Sequence, residues 1–271
     1  MIIGQEKLKN NISKIFEIFA NSNGQIRPHF ILTGESGTGK SFTVKVLCEI
    51  HKLNFVEINA AQLTKEGVSG NSLSKALTPL AMIGKRPTIV FVDEFDKLFI
   101  SGNSNDSHAH ESTVGLQNEF LKILESDVTQ VFGDYGKYIS VGISNVLFVF
   151  AGAFNGEDNI SIDRLRQIGL KTEFLGRVSL VYNTKRLSLN DLFLILENSE
   201  LLNQYLTLFE DSDRETCVCM LKGYLQRYYE NNTLGARLIN SLIHLYFINA
   251  GILPEDEVIK ASFQGKLKLK E

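Results

Sequence analysis

The stretch His29-Phe-Ile-Leu-Thr33, Gly34-Glu-Ser-Gly-Thr-Gly-Lys40-Ser41, Phe42-Thr-Val-Lys-Val-Leu-Cys48 runs from a short apolar segment through a glycine-rich loop into a helical pattern. Its middle part fits G-x-x-x-x-G-K-[ST] at every fixed position. In that spacing the glycines let successive backbone N–H groups turn inward around phosphate oxygens. The N-terminal end of the following helix adds partial positive charge. Glu35, Ser36, Gly37, Thr38 and Gly39 then form the cradle, Lys40 reaches the β and γ phosphates, and Ser41 offers a hydroxyl to Mg²⁺. A plain glycine turn with a surface lysine leaves the preceding strand and following helix without a reason.

Further out, apolar runs and helical patterns alternate. The runs His29–Thr33, Asn54–Asn59, Thr88–Val92 and Asn145–Gly152 are continuously apolar and rich in β-branched or aromatic residues. That is the pattern of strands buried on both faces. Between them Ser41–His51, Ser72–Ile83 and Val114–Glu125 read as helices. The order predicts an α/β domain with a parallel sheet flanked by helices. After about Leu187 the pattern predicts helices alone, at Asn190–Glu197, Leu201–Phe209, Cys217–Glu230 and Leu234–Ala250. We therefore expect two domains, residues 1–185 and a small helical lid over 186–271.

The run Thr88-Ile-Val-Phe-Val92 ends in Asp93-Glu94-Phe95-Asp96-Lys97. Carboxylates at the end of a buried strand are costly unless something uses them. Beside a phosphate loop, Asp93 reads as the group that holds Mg²⁺ and Glu94 as the general base that polarises the attacking water. Asp96 and Lys97 read as a local ion pair or a subunit contact.

Composition excludes several classes. Hydrophobic residues make up 44% and charged residues 22%, with a formal net charge of −3, so no global basic surface advertises nucleic acid. No run of about 18 apolar residues predicts a membrane span. The opening MIIGQEKLKNN lacks the apolar core of a signal peptide. Three cysteines, Cys48, Cys217 and Cys219, suit a reducing compartment and a cytoplasmic setting. They read as small buried hydrophobes rather than metal ligands. The segment Ser101–Thr113, with His108 and His110, reads as a solvated loop, and Lys266–Lys270 as a tail or an edge strand.

Taken in order, Ile3-Gly4-Gln5, GESGTGKS and IVFVDEFDKL resemble the AAA+ ATPases, and within them the branch of the ClpX and HslU unfoldases. Val114–Glu125 is similar to the helix after the family's acidic strand, and Val146–Phe154 to its sensor-1 strand. Asp163–Arg177 is similar to its arginine-finger segment, and Leu234-Gly-Ala-Arg237 to its sensor-2 motif. The resemblance implies ATP/ADP and Mg²⁺ as cofactors, with Ser41 and Asp93 on the metal. It implies an adenine pocket lined by Ile2, Ile3 and Gly4. It makes Arg177 a finger on the neighbouring subunit's γ-phosphate and Arg237 the lid arginine. Asn155 is the nearest polar residue for the sensor-1 position. It also implies a homo-oligomeric ring, a hexamer in the family.

Four departures bear on output. The zinc domain of ClpX has no counterpart, so substrate choice is expected to lie elsewhere. The pore-loop segment reads Gly67-Val68-Ser69-Gly70, with Val68 where the family has an aromatic. Asn155 to Lys171 leaves no room for the loop that docks a ClpP-type peptidase, so that partner is not expected. The basic pore-entry loop is replaced by Asp127–Ser144, whose Tyr135 and Tyr138 read as hairpin aromatics. The leading expectation is an ATP-hydrolysing ring that remodels protein partners without a peptidase. The alternatives are an ATP-dependent switch acting on a protein or DNA complex without threading, and a RuvB-like nucleic-acid motor, which the net charge disfavours.

Overall fold

In a computed structural model, residues 2–64, 70–99, 107–133, 136–210, 212–253 and 268–269 are described. The chain groups into two compact units: Met1–Glu35 with Gly39–Lys185, and Ser36–Thr38 with Arg186–Glu271.

The first unit runs α1 (Glu6–Asn21), β1 (Phe30–Thr33), α2 (Lys40–Ile50), β2 (Asn54–Asn59), β3 (Leu63–Thr64), β4 (Asn71–Ser72), α3 (Leu73–Ala76) and α4 (Leu80–Ile83). It continues with β5 (Thr88–Asp93), α5 (Ser107–Glu125), β6 (Val128–Phe132), β7 (Tyr138–Gly142), β8 (Val146–Gly152), α6 (Ile162–Ile168), α7 (Thr172–Arg177) and β9 (Leu180–Asn183). Five strands form one sheet in the order β2-β5-β8-β1-β9, every neighbouring pair parallel.

Side chains of a strand alternate between faces. Ile31, Val90, Val92, Phe148 and Phe150 enter one buried cluster, with Leu116 and Phe120 of α5 and Phe174 of α7. Phe30, Leu32, Ile89, Phe91, Leu147 and Val149 enter the other, with Ile12, Phe16 and Phe19 of α1 and Val44 and Leu47 of α2. Both faces are covered, so these strands carry unbroken apolar runs, as their sequence predicts.

Several local expectations are corrected. Ser72–Ile83 is two short helices rather than one, because Pro79 starts α4 and cannot donate to a preceding turn. The helix expected from Val114 begins at Ser107, inside the segment read as a loop. β9, with no continuous apolar run, is an added edge strand beside β1 and only partly buried. Residues 127–144 do form a hairpin, β6 with β7, and Tyr138 packs edge-on against Phe132 with ring centroids 5.7 Å apart.

The second unit holds α8 (Leu189–Glu197), α9 (Glu200–Leu208), β10 (Phe209–Glu210), α10 (Arg214–Tyr228), α11 (Arg237–Ile248) and β11 (Lys268–Leu269). Ser188 and Asp191 close α8 with reciprocal capping hydrogen bonds. Leu192, Leu196, Leu202, Leu221, Ile243 and Phe247 form its core. The expectation of helices alone is corrected by the antiparallel pair β10–β11, which makes the C-terminal lysine segment an edge strand at Lys268–Leu269. Cys48 and Cys217 are buried as expected, but Cys219 is exposed, because two residues along α10 turn it to the opposite side.

His29 sits at the foot of β1, 8% exposed, where its Nδ1 accepts a hydrogen bond from the Phe148 N–H at 3.0 Å. That bond requires an unprotonated ring nitrogen. Burial, with the Arg27 charge adding to it, pushes the imidazole from 6.5 down to about 4. Folded His29 thus binds its proton more weakly than unfolded His29. Its contribution to stability is present above pH 6.5 and is lost as pH falls from 6.5 towards 4. At about 1.4 kcal/mol per unit this amounts to about 3 kcal/mol. Urea unfolding at pH 7 and pH 4.5 should show a smaller drop for His29→Gln than for the parent chain; equal drops contradict this role.

Candidate functional site

Strand register fixes what meets at the carboxyl edge of the sheet. Thr33, the last residue of β1, pairs with Gly152 of β8 and Asn183 of β9. Val92 of β5 pairs with Phe150 of β8. One step further Asp93 closes β5, and Glu94 starts the 3₁₀ turn that follows. Strands lie about 4.8 Å apart, so β5 and β1, separated by β8 alone, are about 10 Å apart. The connection leaving β1 runs through α2 on one face, and the one leaving β8 runs through α6 and α7 on the other. Between β8 and β1 the strand order reverses, and a crevice for a ligand opens at such a switch point.

The glycine-rich loop emerges there. Gly34 has φ +133°, and a Cβ on it would lie 1.9 Å from Thr184 Oγ1. Thr184 is fixed in place: its N–H and its hydroxyl both donate to the Thr33 carbonyl, at 2.8 and 3.2 Å. Asn183 accepts from the Thr33 hydroxyl at 2.6 Å and from the Ile160 N–H at 2.6 Å. Only glycine passes through this crossing. Gly39, in a left-handed conformation, then starts α2 without a side-chain cap, which leaves the first N–H groups of that helix for an anion. Lys40 is the first residue of α2, and its ammonium donates to the carbonyls of Gly34 at 2.5 Å and Glu35 at 2.9 Å. Ser41 follows, half-buried.

Asp93 closes β5, and its Oδ1 accepts from the Glu94 N–H at 2.8 Å. Glu94 is exposed and left-handed, φ +53°. A non-glycine residue held there costs about 1 kcal/mol or more and needs its surroundings to hold it. Beyond β8 the chain turns through Phe154 and Asn155, also left-handed at φ +46° and +57°. Asn155 is exposed. A Cβ on the next residue, Gly156, would lie 3.5 Å from Glu35 Cγ, so this corner borders the phosphate loop. The expected pairing of Asp96 with Lys97 is corrected. Asp96 is 1% exposed, and its Oδ2 accepts from the Phe154 N–H at 3.1 Å.

Rings underlie the edge. Phe95, next to Glu94, lies 4.6 Å from Phe150, 5.4 Å from Phe174 and 5.8 Å from Phe120, centroid to centroid. Phe174 belongs to α7, which ends on Arg177. The Arg177 guanidinium contacts Glu125, the last residue of α5, at 3.0 Å, with both side chains about half exposed. Such a pair is worth about 0–1 kcal/mol, so the arginine is held loosely.

In the second unit, Arg237 at the start of α11 donates through Nη1 to Ser36 Oγ at 3.0 Å, and the Ala236 N–H donates to the Gly37 carbonyl at 2.9 Å. At the N-terminus Ile2 is buried in the same cluster as Val44 and Leu47 of α2, with Ile3 and Gly4 half-buried beside it. The Gln5 side chain clamps the Lys185 backbone, donating to its carbonyl at 2.6 Å and accepting from its N–H at 3.1 Å. Sequence reasoning missed Gln5, Asn183, Thr184 and Glu125 as site-shaping residues; only Gln5 had a signal, its place in Ile-Gly-Gln. Val68 and Tyr135 lie outside the described residues. Among the described residues no three metal-ligating side chains cluster, and no helix is long and apolar enough to cross a membrane.

Residues 30–164 match the family described as the ATPase family associated with various cellular activities (AAA). The chain carries an AAA ATPase domain, which binds and hydrolyses ATP. It is similar to ClpX, the ATP-binding subunit of ATP-dependent Clp protease. It is 25% identical to that of Bacteroides fragilis and 26% identical to that of Bacteroides thetaiotaomicron, each over 89% of this chain and 71% and 72% of theirs. The Porphyromonas gingivalis ClpX is 29% identical over 51% of this chain and 37% of its own length. The core is ClpX-like.

Gly34→Ala tests the crossing at Thr184. It should lower the unfolding free energy by about 2–4 kcal/mol. Adding Thr184→Ala should recover part of that loss, because it removes the clash and leaves the backbone strain. Denaturant titration measures both; a double variant no more stable than Gly34→Ala contradicts the clash.

Proposed function

We propose that this chain is the subunit of an ATP-hydrolysing ring that remodels, unfolds or disassembles protein partners. The observation that carries the reading is the shared carboxyl edge, where the phosphate loop, Asp93, Glu94 and Asn155 leave three neighbouring strands. Lys40 and the loop N–H groups would bind the phosphates of ATP. Ser41 and Asp93 offer the hard oxygen ligands that Mg²⁺ requires. Glu94 would take the proton of the attacking water, and Asn155 would hold that water or the γ-phosphate. Ile2, Ile3 and Gly4, fixed by the Gln5 clamp, would receive the adenine.

Arg237, in the helical second unit of residues 186–271, would reach the phosphates beside Ser36, to which it already donates. Arg177, whose one ion pair among the described residues is exposed, would serve a neighbouring copy's γ-phosphate, as a ring requires. The similarity to ClpX supports a homo-oligomeric ring, taken here as a hexamer, with polypeptide as substrate. The short path from Asn155 to Lys171, occupied by a 3₁₀ turn and α6, supports a ring that does not dock a ClpP-type peptidase. Three free cysteines fit a cytoplasmic setting. Val68 in place of a pore aromatic favours a second reading, a switch that binds and releases a protein or DNA complex without threading.

The first measurement tests the shared hydrolytic site and the second the partner. Glu94→Gln should keep ATP affinity within a few-fold and cut turnover by about a hundredfold or more; normal turnover removes Glu94 from the mechanism. Parent-chain turnover should rise with an unfolded polypeptide and stay level with duplex DNA. Stimulation by DNA alone would favour a nucleic-acid partner.

A further inference from the structure

Asp96 has no part in the reading above, yet among the described residues it is a fully buried carboxylate, 1% exposed. Burying a carboxylate is costly unless its oxygens are used. It forms no ion pair among the described residues. One oxygen accepts from the Phe154 N–H at 3.1 Å, 58 residues away in sequence. The other faces Gly152: a Cβ there would lie 2.6 Å from Oδ1 and 2.9 Å from the Asp96 Cβ. Glycine at 152 is thus what lets the carboxylate reach the strand end.

The two backbone stretches that Asp96 joins are both strained. On its own side is Glu94, φ +53°, at the entry to the 3₁₀ turn Phe95–Leu98 that contains Asp96. On the far side are Phe154 and Asn155, φ +46° and +57°. Left-handed non-glycine residues persist only where the surroundings determine them. A single buried hydrogen bond here spans the two turns. Packing also joins them, since Phe95 lies 4.6 Å from Phe150 of β8 in a tilted contact, but ring contacts are not directional as a hydrogen bond is.

We propose that Asp96 is a positioning residue that locks the turn presenting Glu94 to the corner presenting Asn155, so that base and sensor hold one spacing about the attacking water. This rests on the proposed roles of Glu94 and Asn155. Asp96 spends its hydrogen bond on the Phe154 corner rather than on nucleotide, so loss of the lock should spare nucleotide binding and slow chemistry. Misplacing a reacting group by about 1 Å costs about a hundredfold in rate.

The test compares Asp96→Ala with Asp96→Asn, whose side-chain carbonyl can still accept from the Phe154 N–H. ATP turnover, affinity for a fluorescent ATP analogue and the melting temperature are measured on the full chain. Asp96→Ala should lower kcat about tenfold to a hundredfold, with nucleotide affinity changed by less than about threefold. Asp96→Asn should restore kcat to within about threefold of the parent. An unchanged kcat in Asp96→Ala overturns the proposal. So does a parallel loss of affinity and kcat, or an Asp96→Asn variant as slow as Asp96→Ala. Should Asp96→Ala fail to fold, Gly152→Ala decides, because its methyl would meet both ends of the lock, the Asp96 carboxylate at 2.6 Å and the Phe154 ring at 2.9 Å: a slower kcat with affinity retained supports the lock, and an unchanged kcat overturns it. Glu94→Gln in the same series separates the two levels. If Glu94→Gln turns over normally, the role of Glu94 fails; if it is inactive while Asp96→Ala is normal, the lock alone fails.

Discussion

β1, β5 and β8 are hydrogen-bonded in parallel register, and that register sets where their following loops emerge. Thr33 is level with Gly152, and Val92 with Phe150, so three turns of unrelated sequence open on one edge. A slip of one residue would exchange the two faces of a strand and bury its wrong side chains. With both faces packed by large apolar residues, the register has no comparable alternative. The chemistry can therefore sit on loops while its spacing is held by backbone hydrogen bonds beneath.

On that edge the precision is carried by small crossings. Gly34 passes Thr184 where no Cβ fits, and Gly152 leaves space for Asp96. Glu94, Phe154 and Asn155 are held left-handed. Behind them Phe95, Phe120, Phe150 and Phe174 connect the acidic turn, β8 and the helix that ends on Arg177. In the proposed mechanism this aromatic cluster joins the hydrolytic groups to the residue offered to the neighbouring copy. The loose Arg177–Glu125 pair would then be a resting contact, readily exchanged for a phosphate.

Much of this was legible in the sequence, for physical reasons. Strands buried on both faces must be apolar throughout, so β1, β5 and β8 were readable as runs, whereas the edge strand β2 carries an exposed Glu57. The phosphate loop was readable because close backbone approach leaves glycine few substitutes. The half-buried edge strand β9 lacked such a run, and Pro79 inside a helical pattern marked the break that makes two helices of one. Asp96 reads like its charged neighbours in Asp-Glu-Phe-Asp-Lys; its hydrogen bond goes to a turn 58 residues away. The Gln5–Lys185 clamp and the Arg177–Glu125 pair are likewise long-range, and no local pattern encodes them.

The account stands or falls on whether the site is completed between copies of the chain. Arg177→Ala, which lacks the proposed finger, and Lys40→Ala, which lacks the ammonium proposed to bind the phosphates, should each be nearly inactive alone. Mixed and co-assembled, with mixed assemblies verified through a tag on one variant only, they should regain measurable ATP turnover, because an intact Lys40 site can then meet an intact Arg177. Verified mixed assemblies that stay as inactive as the separate variants would contradict the account.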